Sequence, residues 1–179
     1  FYGEHPRHLA VLDAVTTMAQ WDKKRPKGRH LGVAVHESFG SVVGEVVELS
    51  VADDKTVTLH RIWCAIHCGT VVNPKAVRAQ MESGIVYGLS AATRGQITLD
   101  QGGVVQSNFH DYPVMSMREI PPIEVTMIES TDDPGGVGET SLPPIAAAVG
   151  NAIYAATGTR LRRLPFADAG FKTWRATRG

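Results

Sequence analysis

Residues 135–144 read GGVGETSLPP and place one carboxylate, Glu139, at the end of a glycine cluster. Glycines adopt backbone angles closed to other residues and let a ligand approach the main chain closely. The paired prolines that follow indicate the first turn of a helix, where a missing N–H costs nothing, and Thr140 or Ser141 would cap that helix. Glu139 is therefore predicted to be held on a stiff loop, as a catalytic general base must be.

Two roles are open to Glu139 from the residues around it. A carboxylate just before a helix commonly complements the positive end of the helix dipole, which stabilises the helix by about 0.3–1 kcal/mol. Alternatively, a carboxylate on a glycine-rich loop can take a proton from a reacting group that comes close to the backbone. The neighbouring residues do not separate the helix-stabilising role from the catalytic one.

Hydrophobic periodicity predicts an α+β domain, with a mixed sheet built from long hairpins and helices packed on it. The strand over residues 56–68 carries bulky side chains on both faces, so it should be covered on both sides. Residues 52–55 are predicted to form the hairpin turn before it. The predicted elements are helices over 7–21, 73–93 and 145–156 and strands over 32–51, 56–68, 96–100, 103–106 and 123–129. The first helix is predicted to bury Leu9, Leu12, Val15 and Met18 or Ala19.

The second predicted helix carries a stripe of small residues next to a long amide, Gln80. Gly84 and Gly88 remove side-chain bulk one turn apart, so that another backbone or a ligand can come close. Tight packing against the sheet and contact with a ligand both explain this stripe. For Gln80, a ligand contact and a structural hydrogen bond are both open.

Composition excludes several classes of partner. The chain has 18 Lys and Arg residues and 18 Asp and Glu residues, so its charge gives no reason to expect a nucleic acid or an acidic membrane surface. It contains no apolar run long enough for a transmembrane helix. Cys64 and Cys68 lie about 13 Å apart on a predicted strand, too far for a disulfide, so we expect free thiols. The seven histidines lack metal-ligand spacing, and no protein-ligated metal is predicted.

Six short segments occur in an order and spacing typical of one protein family. They are CGTVVNP at 68–74, AQMESG at 79–84, GL at 88–89, NFHDY at 108–112, GVGE at 136–139 and NA at 151–152. Together they resemble the C-terminal part of the molybdopterin-binding subunit in the xanthine dehydrogenase/aldehyde oxidase family. The resemblance covers about residues 6–166, and the tail over 167–179 carries none. The runs VHESFGS at 35–41, ATGTR at 156–160 and RLP at 163–165 most resemble the isoquinoline-oxidising members of this family.

The resemblance implies a role for several individual residues. Glu139 matches the glutamate of the family's G-x-G-E motif, which is the general base beside the molybdenum. Gln80 matches the glutamine of the A-Q-x-E-x-G helix, which contacts the pyranopterin. Gly136, Val137 and Gly138 correspond to backbone that lies close to the cofactor.

The chain departs from the family pattern at two places. Ser83 stands where a glycine is usual, which adds a hydroxymethyl group to the helix face. Thr140 and Ser141 replace the commoner Pro-Gly after the glutamate, which changes the stiffness of the loop. The resemblance therefore defines the residue type at position 139 better than the direction of its side chain.

The resemblance also implies an activity, a cofactor and partners. The intact protein is expected to be a molybdenum hydroxylase that uses water as its oxygen source and oxidises isoquinoline-like N-heteroaromatic compounds or aldehydes. It would bind a molybdopterin-type molybdenum cofactor, in the cytosine dinucleotide form, and would pass electrons to a small [2Fe–2S] subunit. The alternative is a non-catalytic assembly or binding module that keeps the fold.

We interpret residues 1–179 as a single domain, the C-terminal fragment of a larger molybdopterin-binding subunit. The chain begins with Phe1, and it contains neither the family's upstream molybdenum pocket nor its iron–sulfur cysteines. The fragment alone is therefore expected to lack the cofactor and to be inactive. Apolar surface that the remainder of the large subunit would cover is expected to make it self-associate, most simply as a homodimer.

Overall fold

The computed structural model describes residues 4–177. Its strands, in chain order, are β1 (His30–Ser38), β2 (Ser41–Val51), β3 (Val57–His67), β4 (Leu99–Asp100), β5 (Gly103–Val104), β6 (Ile123–Met127) and β7 (Trp174–Ala176). Its helices are α1 (Pro6–Met18), α2 (Pro74–Thr93) and α3 (Leu142–Thr157), with a short 3-10 helix over Phe166–Ala169.

A five-stranded mixed sheet forms the centre of the fold. β1, β2 and β3 form an antiparallel meander. β6 and β7 both lie parallel to β3, β6 beside residues 62–66 and β7 beside residues 57–59. The predicted α+β class with a mixed sheet is confirmed. The predicted hairpin around residues 101–102 is present, but its strands β4 and β5 are only two residues long.

The long strand predicted over residues 32–51 is wrong, because the chain turns back within it. Phe39 and Gly40 both adopt left-handed backbone angles, with φ of 54° and 74°, and Ser38 pairs with Ser41 across the turn. A two-residue hairpin turn of type I′ has such angles at both central positions, for which Asn-Gly or Asp-Gly is typical. Phe-Gly lacks that signature, so the sequence concealed this extra hairpin.

β3 is covered on both faces, as predicted. Trp63 and Ala65 pack in a cluster with α1, whereas Cys64 and its neighbours on the same face pack with α2 and α3.

The predicted buried face of α1 is only partly right. Val15 and Ala19 are buried, as predicted, but Val11 is buried as well and Leu9 is 41% exposed. The reason is the close packing of α1 on Gly44 of β2. Val11 and Val15 fill the space that a side chain at position 44 would occupy.

The small-residue stripe of α2 packs against α3 rather than against the sheet. A Cβ on Gly84 would overlap the Oγ of Ser141, and a Cβ on Gly88 would overlap the Cγ2 of Ile145. The two glycines therefore let the helices approach each other closely. Tyr87 on the same stripe is 62% exposed, so the stripe continues onto the surface.

Glu45 is a carboxylate inside the core that, unlike the buried Glu48, has no ion pair among the described residues. Glu45 lies on the same helix-covered face of β2 as Val43 and Val47, because alternate residues of a strand share a face, and it pairs with Cys64 on β3. Glu45 is 0% exposed, and neither of its carboxylate oxygens has a hydrogen-bond partner among the described residues. Burial raises the pKa of Glu45 well above the ordinary value for a glutamate.

The remaining sequence expectations concern the tail, the cysteines and membrane spans. The tail beyond residue 166 is part of the fold through residue 177, since Phe171 and Trp174 are buried and Trp174 Nε1 donates to the Phe171 carbonyl at 2.8 Å. Cys64 and Cys68 are free, as predicted, and burial raises the pKa of both thiols. No helix within residues 4–177 is both long enough and apolar enough to cross a membrane.

Candidate active site

The loop that carries Glu139 begins against the ends of two strands. Gly135 N–H donates to the Cys68 carbonyl at 2.9 Å, and Gly136 N–H donates to the Phe39 carbonyl at 2.8 Å. A Cβ on Gly135 would come within 2.8 Å of the Gly40 carbonyl oxygen, and one on Gly136 would come within 2.8 Å of the Phe39 Cβ. These two glycines are required for close approach. None of the three loop glycines has a positive φ, so the loop uses the small size of glycine and not its freedom of backbone angle.

The far end of the loop is attached to helix α2. Thr140 and Ser141 are 1% and 0% exposed. Ser141 Oγ donates to the Met81 carbonyl at 2.9 Å, and Thr140 Oγ1 lies 3.9 Å from Met81 Sδ. The two residues that depart from the family pattern thus bury their hydroxyl groups against one turn of α2.

Neither hydroxyl caps α3, which corrects the expectation from sequence. The first position before the helix is Ser141, and its side chain makes no capping hydrogen bond. The prolines in the first turn have no N–H to satisfy, and the Leu142 N–H is bonded to the Glu139 carbonyl at 3.0 Å. The first turn of α3 therefore has few free N–H groups that a capping side chain could bind, and both hydroxyls are available to α2.

Glu139 lies between these two attachments, and its side chain is open. It is exposed, and within residues 4–177 its carboxylate forms no hydrogen bond or ion pair with another side chain or with the start of α3. The helix-stabilising alternative consequently has no hydrogen bond to support it. A carboxylate held by its backbone but free at its oxygens can accept a proton from a bound molecule.

The structure brings Gln80 and Gly138 beside Glu139. Gln80 Nε2 donates to the Gly138 carbonyl at 3.2 Å, so the structural role that sequence left open for this amide is present. A Cβ on Gly138 would find only Gln80 Nε2 within 4 Å, at 3.9 Å, so packing within this chain does not require a glycine there. Within the described part of the chain, the N–H groups of Gly138 and Glu139 donate to no acceptor. The loop therefore offers two free donors and an uncrowded backbone.

The other two predicted cofactor-binding positions are less open. Val137 is half-buried and packs on the main core. Gly136 is exposed, but its N–H is already used within the protein, where it donates to the β1–β2 turn. Of the four positions predicted to contact a cofactor, Gln80, Gly136 and Gly138 are exposed, and of the two glycines only Gly138 keeps its N–H free within the described residues.

Sequence reasoning missed a cationic anchor beneath the loop. Arg7 Nη2 donates to the Gly40 carbonyl at 2.5 Å and to the His67 carbonyl at 3.2 Å, and Arg7 Nε donates to His67 Nδ1 at 3.2 Å. His67 Nδ1 is thus an acceptor, which leaves the ring proton on Nε2, 3.8 Å from Asp132 Oδ2. These residues lie far apart in the sequence, so no local pattern could have revealed the anchor.

The site is an open surface rather than a cavity. Two depressions of about 610 and 650 Å³ lie beside α1 and the loop after it, and neither is lined by Gln80 or Glu139. Within residues 4–177, no group of three His, Cys, Asp or Glu residues is placed to hold a metal ion. Within the described residues, a ligand at Glu139 would therefore contact an exposed loop and not the walls of a cavity.

A family model for the molybdopterin cofactor-binding domain matches residues 12–121. The chain belongs to this family. It is 36% identical to the isoquinoline 1-oxidoreductase subunit beta of Brevundimonas diminuta over 92% of the chain and 22% of that relative. It is 32% identical to the aldehyde oxidoreductase molybdenum-binding subunit of Escherichia coli K12 over 84% of the chain and 20% of that relative. The chain thus spans about a fifth of the length of these relatives.

The solved structures agree with this molybdopterin cofactor-binding domain in fold. Quinoline 2-oxidoreductase from Pseudomonas putida 86 superposes with a TM-score of 0.65 over 75% of this chain and 19% of that chain, at 19% identity. The family model and the relatives confirm the predicted family, and this superposition confirms the predicted fold. The residues matched by the family model include Gln80 but stop before the Glu139 loop.

The open loop suits the cofactor of this family. Gly138 leaves space for a bound group to lie on the backbone, and the free N–H groups of Gly138 and Glu139 can donate to its acceptor atoms. The exposed Gln80 amide is adjacent. A cofactor bound at this loop would contact Gly138, Glu139 and Gln80.

Proposed function

We propose that this chain is the C-terminal portion of the molybdenum-cofactor-binding subunit of a molybdenum hydroxylase, with Glu139 as its general base. The single observation that carries the proposal is the state of Glu139, an exposed carboxylate without a partner in the described residues, between two anchored neighbours. Relatives named as oxidoreductases of isoquinoline and of aldehydes support the reaction class.

Each residue of the site has a defined part in this proposal. The cofactor, when bound, supplies the redox chemistry of the hydroxylation. Glu139 accepts, at a carboxylate oxygen, the proton released as a water-derived oxygen attacks the substrate carbon. Gln80 keeps the Gly138 carbonyl turned toward α2, so that the Gly138 and Glu139 N–H groups stay available to the cofactor.

We further propose that the complete enzyme supplies what this chain does not. The remainder of the large subunit would provide the other walls of the site, and a small [2Fe–2S] subunit would carry electrons away. The cofactor would be the cytosine dinucleotide form. The chain alone would be inactive, because its site is an open surface from which water is not excluded.

The test is Glu139→Gln in the complete enzyme complex. Gln keeps the shape of the side chain but cannot take the proton, so kcat should fall by about 10²–10⁴-fold. Cofactor content and the thermal unfolding midpoint should stay near the wild-type values. The matched control is Glu129→Gln, the same change at an exposed carboxylate before the loop, which should leave kcat unchanged.

Two results would contradict the proposal in different ways. Near wild-type reduction of the molybdenum centre by substrate in the Glu139→Gln enzyme would remove the general-base role. Absence of any oxidation of isoquinoline and of an aldehyde by the wild-type complex would instead favour the non-catalytic assembly or binding module. Activity on one of the two substrates would select between the N-heteroaromatic and aldehyde classes.

A further inference from the structure

We infer that Ser141 is a positioning residue for Glu139. Its buried hydroxyl fixes the loop to α2, an attachment that we call the lock, and Gly84 leaves the space that this hydroxyl occupies. The inference rests on the proposed function, since it concerns the direction of the proposed base. It gives a reason for the departure from the commoner Pro-Gly after the glutamate.

The lock is defined by one hydrogen bond and one missing side chain. Ser141 is fully buried, and its Oγ donates to the Met81 carbonyl at 2.9 Å. A Cβ on Gly84 would overlap that Oγ, whereas it would lie 3.3 Å from the Leu142 N, a tight contact, and 3.4 Å from the Ser141 Cβ, an ordinary one. The hydroxyl therefore occupies the space that a side chain at 84 would fill. A buried hydroxyl at 141 therefore requires a glycine at 84.

The lock fixes the backbone on the C-terminal side of Glu139. On the other side, the Gly138 carbonyl accepts a hydrogen bond from Gln80, which is exposed and open to water. The buried bond of Ser141 is the better protected of the two, because water does not compete for it. Its loss would let the segment around Glu139 move while leaving the carboxylate itself intact. A displacement of about 1 Å at a reacting group can cost 10²-fold in rate.

The experiment is a double-mutant cycle of Ser141→Ala and Gly84→Ala in the complete enzyme complex. Gly84→Ala alone should lower the thermal unfolding midpoint, because its methyl group overlaps the Ser141 hydroxyl. Ser141→Ala alone should lower kcat by about 10- to 100-fold with KM unchanged. In the double variant the methyl group at 84 takes the space of the hydroxyl and keeps only its 3.3 Å contact with the Leu142 N, so the unfolding midpoint should rise above that of Gly84→Ala while kcat stays low.

A second readout does not depend on activity. Hydrogen exchange of the peptide spanning residues 136–142 should be faster in Ser141→Ala and in the double variant than in the wild type. Gly88→Ala is the matched control on the same helix. Its methyl group would overlap Ile145 instead, so its lower unfolding midpoint should not be restored by Ser141→Ala.

The inference is overturned if the double variant recovers wild-type kcat together with its stability, because Ser141 would then be a packing residue only. Unchanged hydrogen exchange of residues 136–142 would overturn it equally. If Ser141→Ala alone does not fold, the double variant still decides. Failure of the proposed function is separate, since it appears as an unchanged kcat in Glu139→Gln while the exchange measurement continues to report on the lock.

Discussion

Glu45 should make the stability of this chain fall as pH rises. Its carboxyl is 0% exposed, and neither oxygen has a hydrogen-bond partner among the described residues, so the folded state favours the neutral form. Burial accordingly raises the pKa of Glu45 above the ordinary value of 4.5. The folded chain therefore holds a proton that the unfolded chain releases, and the stability present below pH 4.5 is lost as pH rises toward the folded-state pKa.

The magnitude follows from linkage between one proton and folding. Each pH unit between the unfolded and folded pKa values lowers the free energy of unfolding by about 1.4 kcal/mol. From about pH 5 to pH 8 the loss is at most about 4 kcal/mol, a large part of the stability of a small domain. Cys64, which faces Glu45 across the strands, does not contribute in this range, because burial raises the pKa of its thiol above the ordinary 9.0.

The measurement is urea unfolding of wild type and Glu45→Gln at several pH values in that interval. Gln has no proton to lose, so the difference in unfolding free energy, variant minus wild type, should increase with pH whatever its starting value. The starting value itself can favour either protein, because a buried amide without partners costs about 1–3 kcal/mol. Glu129→Gln, at an exposed position, should follow the wild-type dependence. Parallel curves for wild type and Glu45→Gln would refute the reasoning.

Two further predictions concern packing and association. Gly32→Ala should destabilise the chain by about 1–3 kcal/mol or more in urea unfolding, because its Cβ would overlap the backbone of α3 at Ala148 and Ala152. Gly150→Ala, within α3, should instead be neutral or stabilising by up to about 1 kcal/mol, since its Cβ meets nothing closer than Phe166 Cζ at 3.7 Å, and equal effects of the two changes would contradict this account. The isolated chain should self-associate through exposed apolar side chains such as Met117, which is 88% exposed. Sedimentation that shows a monomer at every concentration would count against it.

The helices that carry their own end signals were predictable from sequence. α2 begins where Asn73 accepts the Ala76 N–H at 3.2 Å, directly before a proline. α3 ends at Gly158, which has a φ of 72° and donates its N–H to the Tyr154 carbonyl at 2.8 Å. Both signals act over a few neighbouring residues, so their physical cause is visible in a short stretch of chain.

Features decided by contacts between distant segments were not predictable. The turn at Phe39 is stabilised by Gly136, and the burial of Ser141 depends on Gly84 in another helix. The sequence predicted that Glu139 and Gln80 carry chemistry, but it could not show that the loop on both sides of Glu139 is attached to the turn of α2 that contains Gln80. Such attachments depend on the tertiary packing of helices, to which local propensities do not respond.

The pairing of β3 with two strands from later in the chain affects how the protein is made. Thr177 Oγ1 in the last described segment donates to the His60 carbonyl, 117 residues earlier, and β7 pairs with residues 57–59. During synthesis this edge of β3 stays unpaired until both β6 and β7 have emerged from the ribosome. Contacts between residues so far apart in the sequence form slowly, and an unpaired strand edge can pair with the edges of other nascent chains. Expression at a slower translation rate should therefore affect the yield of soluble protein more than its final stability.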